Sequence, residues 1–214
     1  MDRLPRDEYY LRLAVDVAGR ATCLRRMIGA VVVKNDVIVS TGYNGNPRAM
    51  PHCEEIGCIR DELKIPSGER MEICTGVHAE MNALIFAGKE ARGGVLYTTL
   101  VPCNTCAKMI INAGVNRVVF AEGYPDRMGL VLLEEAGIPV ERLPLELEAP
   151  LTRAEEVTEE IIQAGSTLSI EEMRDALADK EQYMAQIAQG KKTHNEVAAR
   201  IIQERVSNLK KKED

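Results

Sequence analysis

The stretch "GVHAEMNALI" sets His78 and Glu80 on either side of Ala79, where an apolar, helix-like run begins. Further along, "PCNTC" brings Cys103 and Cys106. A C-x-x-C pair alone is a weak signal: it fits a redox pair or half of a zinc knuckle. Joined to the upstream histidine it becomes a three-ligand set. Catalytic zinc sites commonly keep three protein ligands and leave a fourth position for water. Glu80 then stays off the metal, where a carboxylate can move protons. For His78 taken alone, a hydrogen-bonded buried histidine is the competing reading. For the whole set, the competing reading is a closed structural zinc, but such a site would use a fourth thiolate or imidazole in place of an unbound glutamate.

These residues need particular backbone positions. Inside a helix of ~3.6 residues per turn, positions i and i+2 point about 200° apart, so His78 and Glu80 could not both face one ligand. At a first turn, where the chain is still entering the helix, they can. Cys103 and Cys106 also stand at a helix start, three apart and on one face. Two helix N-termini would then converge on the metal, and their positive ends favour thiolate and hydroxide. Pro102 fits just ahead of the first helical residues.

The elements that must hold them are legible in the periodicity. Tyr10, Leu13, Ala14 and Val17 recur at helical spacing within residues 5–20. "IGAVVVKNDVIVSTGY" reads as two strands, 28–34 and 36–42, around a tight Asn35-Asp36 turn. Residues 43–76 carry Gly, Pro, charge and three cysteines without a sustained period, and so long a loop calls for a function or a metal staple. Then follow a helix over 78–88, the strand "GVLYTTL", a helix from "PCNTCAKMIINAG" ended by Gly114, the strand "VNRVVFAEG", a helix over 127–136 and the strand "IPVERL". Alternating strands and helices predict an α/β fold with a mostly parallel or mixed sheet covered by helices.

Residues 1–150 then form one α/β domain, and 151–214 a three-helix extension. Three capping boxes mark its helices: Thr152 with Glu155, Ser169 with Glu172 and Thr193 with Glu196. Gly165 and Gly190 stand where the first two should stop. Ile170, Met173, Leu177, Met184 and Ile187 form one stripe, interrupted by Lys180. Such a tail packs on its own core or on a second subunit, and its expected role is structural.

A chain of 214 residues with net charge −6 has no overall attraction for nucleic acid or anionic membrane. No tryptophan and two phenylalanines leave little for base stacking. The start lacks a secretory apolar region, and no apolar run approaches the ~20 residues of a membrane helix. The expectation is a cytoplasmic protein with no nucleic-acid or membrane partner. In that compartment six cysteines favour metal or catalysis over disulfides. Beyond the C-x-x-C pair, Cys23, Cys53, Cys58 and Cys74 match a second, structural zinc held by four thiolates, with His52 as a substitute ligand. The alternative is four unligated thiols acting as small hydrophobes.

Residues 8 to about 145 resemble the deoxycytidylate (dCMP) deaminase family, including its late-competence operon variant. The stretches that carry the likeness are "TCLRRMIGAVVV", "STGYNGNPRAMPHC", "GVHAEMNALI" and "TTLVPCNTCAKMIINAGVNRVVF". The H-x-E and P-C-x-x-C pieces mark the zinc nucleobase deaminases generally, and the "GYNG-x-P" loop narrows the likeness to the dCMP branch. The resemblance implies a cytidine deaminase-like three-layer α/β/α fold. It implies hydrolysis of dCMP to dUMP and ammonia by a zinc-bound hydroxide, with Glu80 as proton shuttle, on the route to thymidylate. It puts Asn44 at the deoxyribose, Arg25 and Tyr124 near the phosphate, and Ala79 against the substrate. It also implies a homo-oligomer, dimer or hexamer, with dCTP and dTTP as effectors and Mg2+ accompanying the nucleotide. The alternatives are another deaminase of the superfamily, acting on cytidine, guanine or tRNA adenosine, or a non-catalytic zinc module. The acidic pI near 5.3 argues against tRNA, which demands basic phosphate contacts.

Overall fold

A computed structural model describes residues 3–123 and 128–145. The extension expected over 151–214, with its capping boxes and apolar stripe, lies outside the described residues. The described residues divide between two compact units, one of residues 3–47, 76–123 and 128–145, the other of residues 48–75.

The first unit is built on a five-stranded mixed sheet. Its strands are β1 (Gly29–Lys34), β2 (Val37–Tyr43), β3 (Val95–Leu100), β4 (Arg117–Glu122) and β5 (Val140–Arg142), in the order β2-β1-β3-β4-β5. β1 is antiparallel to both β2 and β3, whereas β3, β4 and β5 run parallel. Asn35 and Asp36 both take positive φ, 52° and 61°, so the hairpin turns through the primed geometry that suits strand twist. Asp36 therefore belongs to the turn, and β2 starts one residue later than the pattern suggested. Between Val32 and Val33 the register shifts, because Val39 is an extra residue on β2. That bulge lies on an edge strand, where bulges limit further pairing.

Side chains alternate across the sheet as a period of two requires. Val31, Val33, Tyr97, Val119 and Ala121 face α1 (Arg6–Ala18), which lays Tyr10, Leu11 and Ala14 on them. Of the apolar stripe expected on α1, Leu13 and Val17 are only partly buried, while Leu11 and Ala18 are buried instead. Ala30, Val32, Leu96 and Val118 face the opposite layer. There lie α4 (Ala79–Ala87), α5 (Asn104–Ala113) and α6 (Met128–Glu135). The layers are thus α/β/α, with two cores on either side of one sheet. α5 stops at Gly114, whose φ of 75° lets its N–H reach Ile111 while Val115 N–H reaches Ile110.

The second unit differs from the aperiodic loop read from sequence. It holds α2 (Cys53–Ile56), α3 (Ile59–Glu62) and a 3-10 turn at Met71–Ile73. Helices of one turn are too short to show a 3.6-residue period, which is why the pattern missed them. The His52 N–H donates to the Glu55 carboxylate at 2.6 Å, and Arg60 Nη2 donates to the Pro66 carbonyl at 2.8 Å.

Candidate metal centre and active site

His78 and Cys103 are the N-cap residues of α4 and α5, each with extended backbone (ψ 155° and 170°). N-caps are usually Ser, Thr, Asp or Asn, whose side chains bind the first free N–H groups. Neither residue makes a side-chain cap hydrogen bond. Both helices forgo that stabilisation and turn the capping side chain elsewhere.

Two backbone ties deliver these caps. Val77 and Gly45 exchange hydrogen bonds of 2.8 and 3.2 Å just ahead of His78. Val101 N–H donates to the Glu122 carbonyl at 2.9 Å, holding the segment after β3 against the end of β4. The caps then meet: His78 Nδ1 lies 3.5 Å from Cys103 Sγ and 3.3 Å from Cys106 Sγ. All three ligand atoms fall within 4.8 Å of one another, and among the described residues this is the group able to hold a metal ion. A tetrahedral zinc with Zn–S of about 2.3 Å and Zn–N of about 2.0 Å would set sulfur and nitrogen roughly 3.5 Å apart. The donor types and spacing therefore fit zinc.

Glu80 occupies the second helical position of α4 and is 3% exposed. Burial pushes its carboxyl up, against the opposing pull of His78, and it is in hydrogen-bond contact with the Cys106 thiol. The two thiols are split. A hydrogen bond from Cys106 is the first cause that brings Cys103 down to about 4. The same bond, then burial and Glu80, push Cys106 up. Thiols bind a divalent ion as thiolates, so a metal held here would displace their protons.

The other expected site residues are placed as follows. Asn44, 8% exposed, accepts a hydrogen bond from Ile28 N–H at 2.8 Å and donates to the Arg26 carbonyl at 2.9 Å. Its side chain clamps the 26–28 loop, which leaves one amide N–H for a ligand. Arg25, half-buried, belongs to the same loop, and its backbone N–H approaches Cys23 Sγ at 3.5 Å. Ala79 is fully buried at the first turn of α4. Tyr124 lies outside the described residues. Cys23 belongs to the first unit and Cys53, Cys58 and Cys74 to the second, no second metal-ligand group among the described residues supports the structural zinc expected there, and none of the six cysteines is in a disulfide.

Sequence reasoning passed over residues that support the site. Asn82 Nδ2 donates to the Tyr43 carbonyl at 2.7 Å, pinning α4 to the "GYNG" loop. Ser40 Oγ donates to the Ala83 carbonyl at 2.7 Å. A Cβ on Gly42 would fall 2.3 Å from both the Ala79 carbonyl and the Ala83 nitrogen, so only glycine lets α4 sit this close to β2. Its neighbours "STGYNG" were the available signal.

A mixed sheet with a His–Cys–Cys set at two helix starts defines an α/β metal-site protein of the nucleobase-deaminase kind. Residues 4–122 match the cytidine and deoxycytidylate deaminase zinc-binding region, and the chain belongs to that family. It is 37% identical over 135 residues to the deoxycytidylate deaminase of Schizosaccharomyces pombe, an alignment covering 62% of this chain and 42% of that protein. It therefore spans about two-fifths of that relative's length. It is 32% identical to ComE operon protein 2 of Bacillus subtilis, over 68% of this chain and 75% of that one. Among solved structures, the cyanophage S-TIM5 dCMP deaminase in complex with dCMP and dUMP matches with a TM-score of 0.55 at 31% identity. That match covers 66% of this chain and all of the phage protein. Among the described residues, no helix is long and apolar enough to cross a membrane.

Proposed function

We propose that this protein hydrolyses dCMP to dUMP and ammonia. The observation that carries the chemistry is the buried carboxyl of Glu80, which lies against a three-ligand group and is not itself part of it. The choice of dCMP is supported by the relatives, two of which are named for that substrate.

His78, Cys103 and Cys106 would hold the zinc. When bound, zinc supplies a Lewis acid that lowers the pKa of water to roughly 7. Glu80 accepts the proton of the attacking water and gives it to the cytosine ring nitrogen N3. It then carries the second proton to the amine at C4, so that the C4–N bond breaks and ammonia leaves. Burial suits this role, because a carboxyl raised above its ordinary value is a better proton acceptor and can still return the proton. Asn44 would offer its remaining amide N–H to the deoxyribose, with Ala79 against the base. Arg25 and Tyr124 would meet the phosphate, where a planar guanidinium matches its oxygens.

Assembly as a homo-oligomer, regulation by dCTP and dTTP with Mg2+, and a place in thymidylate synthesis belong to the same reading and are supported by the resemblance alone. A reducing, cytoplasmic setting suits a pair of thiolate ligands. A structural zinc at Cys23, Cys53, Cys58 and Cys74 is supported only by the sequence.

The test is turnover of dCMP against deoxycytidine by purified protein, with metal analysis of the same sample. Preference for dCMP with bound zinc is expected. Equal rates on both would remove the phosphate pocket, and no uracil product from either would remove the reaction.

A further inference from the structure

We infer that Gly129 is a positioning residue for the metal ligands: the absence of a side chain there lets α6 back directly onto the Pro102–Cys103 peptide and sets where Cys103 stands. The inference rests on the zinc reading above. Gly129 is buried at the second position of α6, and glycine is a poorer helix former than alanine. Its φ is not positive, so the backbone conformation does not demand glycine. Space does. A Cβ at this position would fall 2.0 Å from the Pro102 carbonyl oxygen and 3.0 Å from the carbonyl carbons of Pro102 and Cys103. Every one of these is a backbone atom, so no rotamer change relieves the clash.

The peptide it would strike has little freedom to yield. Pro102 is fully buried, and Val101 is tied to Glu122 by the 2.9 Å bond. The next residue, Cys103, holds its sulfur 3.5 Å from His78 Nδ1. Ligand constellations must be kept within about 0.5 Å of productive geometry. Restoring a normal contact at residue 129 takes a displacement of about 1 Å or more, beyond that tolerance. Gly29 makes an equally close approach on the other face of the sheet, where its Cβ would fall 2.0 Å from the Ala14 carbonyl oxygen. It contacts α1 and no ligand-bearing peptide.

That pair supplies the experiment. Zinc affinity is measured by chelator competition, and ligand geometry by the visible spectrum of the cobalt-substituted protein. Gly129→Ala should weaken zinc binding about 10- to 100-fold, the range seen when groups supporting metal ligands are removed, and should alter the cobalt bands. Gly29→Ala should lower the melting temperature yet leave the cobalt bands of the folded protein unchanged. A folded Gly129→Ala with wild-type affinity and spectrum overturns the inference. Should Gly129→Ala not fold, Leu133→Ala loosens α6 by removing its core anchor, and an unchanged affinity and spectrum there overturns it equally. Wild-type protein that gives no cobalt spectrum overturns the zinc reading, and this inference with it.

Discussion

At the start of β4, Arg117 is gripped by two carboxylates, whereas beyond the end of β3 a carboxyl, two thiols and an imidazole crowd together. The first cluster is resolved. Arg117 donates to both Asp7 oxygens at 2.9 and 2.8 Å and to Glu141 at 3.0 Å, and the Tyr97 hydroxyl donates to Asp7 at 2.7 Å. Hydrogen bonds from Arg117 hold Asp7 and Glu141 below the usual carboxylate range. The second cluster is left in tension. Glu80 and Cys106 are pushed up while Cys103 is pulled down to about 4. One sheet therefore carries a staple at one end, where opposite charges are matched. At the other end it carries a buried carboxyl beside three metal-ligand atoms. Perturbed groups in a partner-matched network speak for stability, and perturbed groups crowded beside metal-ligand atoms speak for chemistry.

The contrast is broken most severely by Glu80→Gln. It should cost on the order of 10²–10⁴-fold in kcat, the usual share of a general acid–base group, while zinc content stays unchanged. Steady-state kinetics with metal analysis checks both. Surviving activity would show that the proton moves by another route. Removing zinc with a chelator should abolish turnover, and returning it should restore activity at about one ion per chain. A content near two would support the second site at Cys23, Cys53, Cys58 and Cys74.

Asn44→Ala removes a clamp of two hydrogen bonds to the 26–28 loop. It should raise KM for dCMP more than it lowers kcat, with a stability loss of about 1–3 kcal/mol. At the staple end the pattern should invert. Asp7→Asn should lower stability by about 1 kcal/mol in urea unfolding, a figure discounted for the partial exposure of Asp7, and leave kcat and zinc affinity intact. The smallest effect is its pH dependence. Because the folded pKa of Asp7 is depressed, its stabilisation is fully present above the unfolded value near pH ~4. It is lost as pH falls through the folded value. The gap between wild type and Asp7→Asn should therefore narrow below about pH 4. A gap that widens on acidification would mean that Asp7 is not stabilised by Arg117.

Much of this was legible in the residues. The Asn35-Asp36 turn, the strand alternation around Val31 and Val32, and the stop at Gly114 are local signals. The helix start at His78 follows from a stereochemical conflict that only a first turn resolves, and the one at Cys103 from Pro102 and the three-residue spacing of the cysteines. Other features had no local trace. The helices at Cys53–Ile56 and Ile59–Glu62 are shorter than any period they could display. The Asp7–Arg117 bond joins residues 110 apart in the chain. The commitment of Asn44 to the Arg26 and Ile28 backbone appeared only when β2 was laid beside the 22–28 loop.

Chain order alone determined which donor atoms exist and which helix starts present them, because ligand identity and first-turn geometry are short-range matters of chemistry and dihedral angles. Tertiary structure decided that His78 and Cys103 meet at 3.5 Å, that Glu80 is buried beside them, and that Gly42 and Gly129 bring their helices close. Those are distances between segments far apart in the chain, set by the sheet order β2-β1-β3-β4-β5 and by backbone packing that leaves no room for a methyl group.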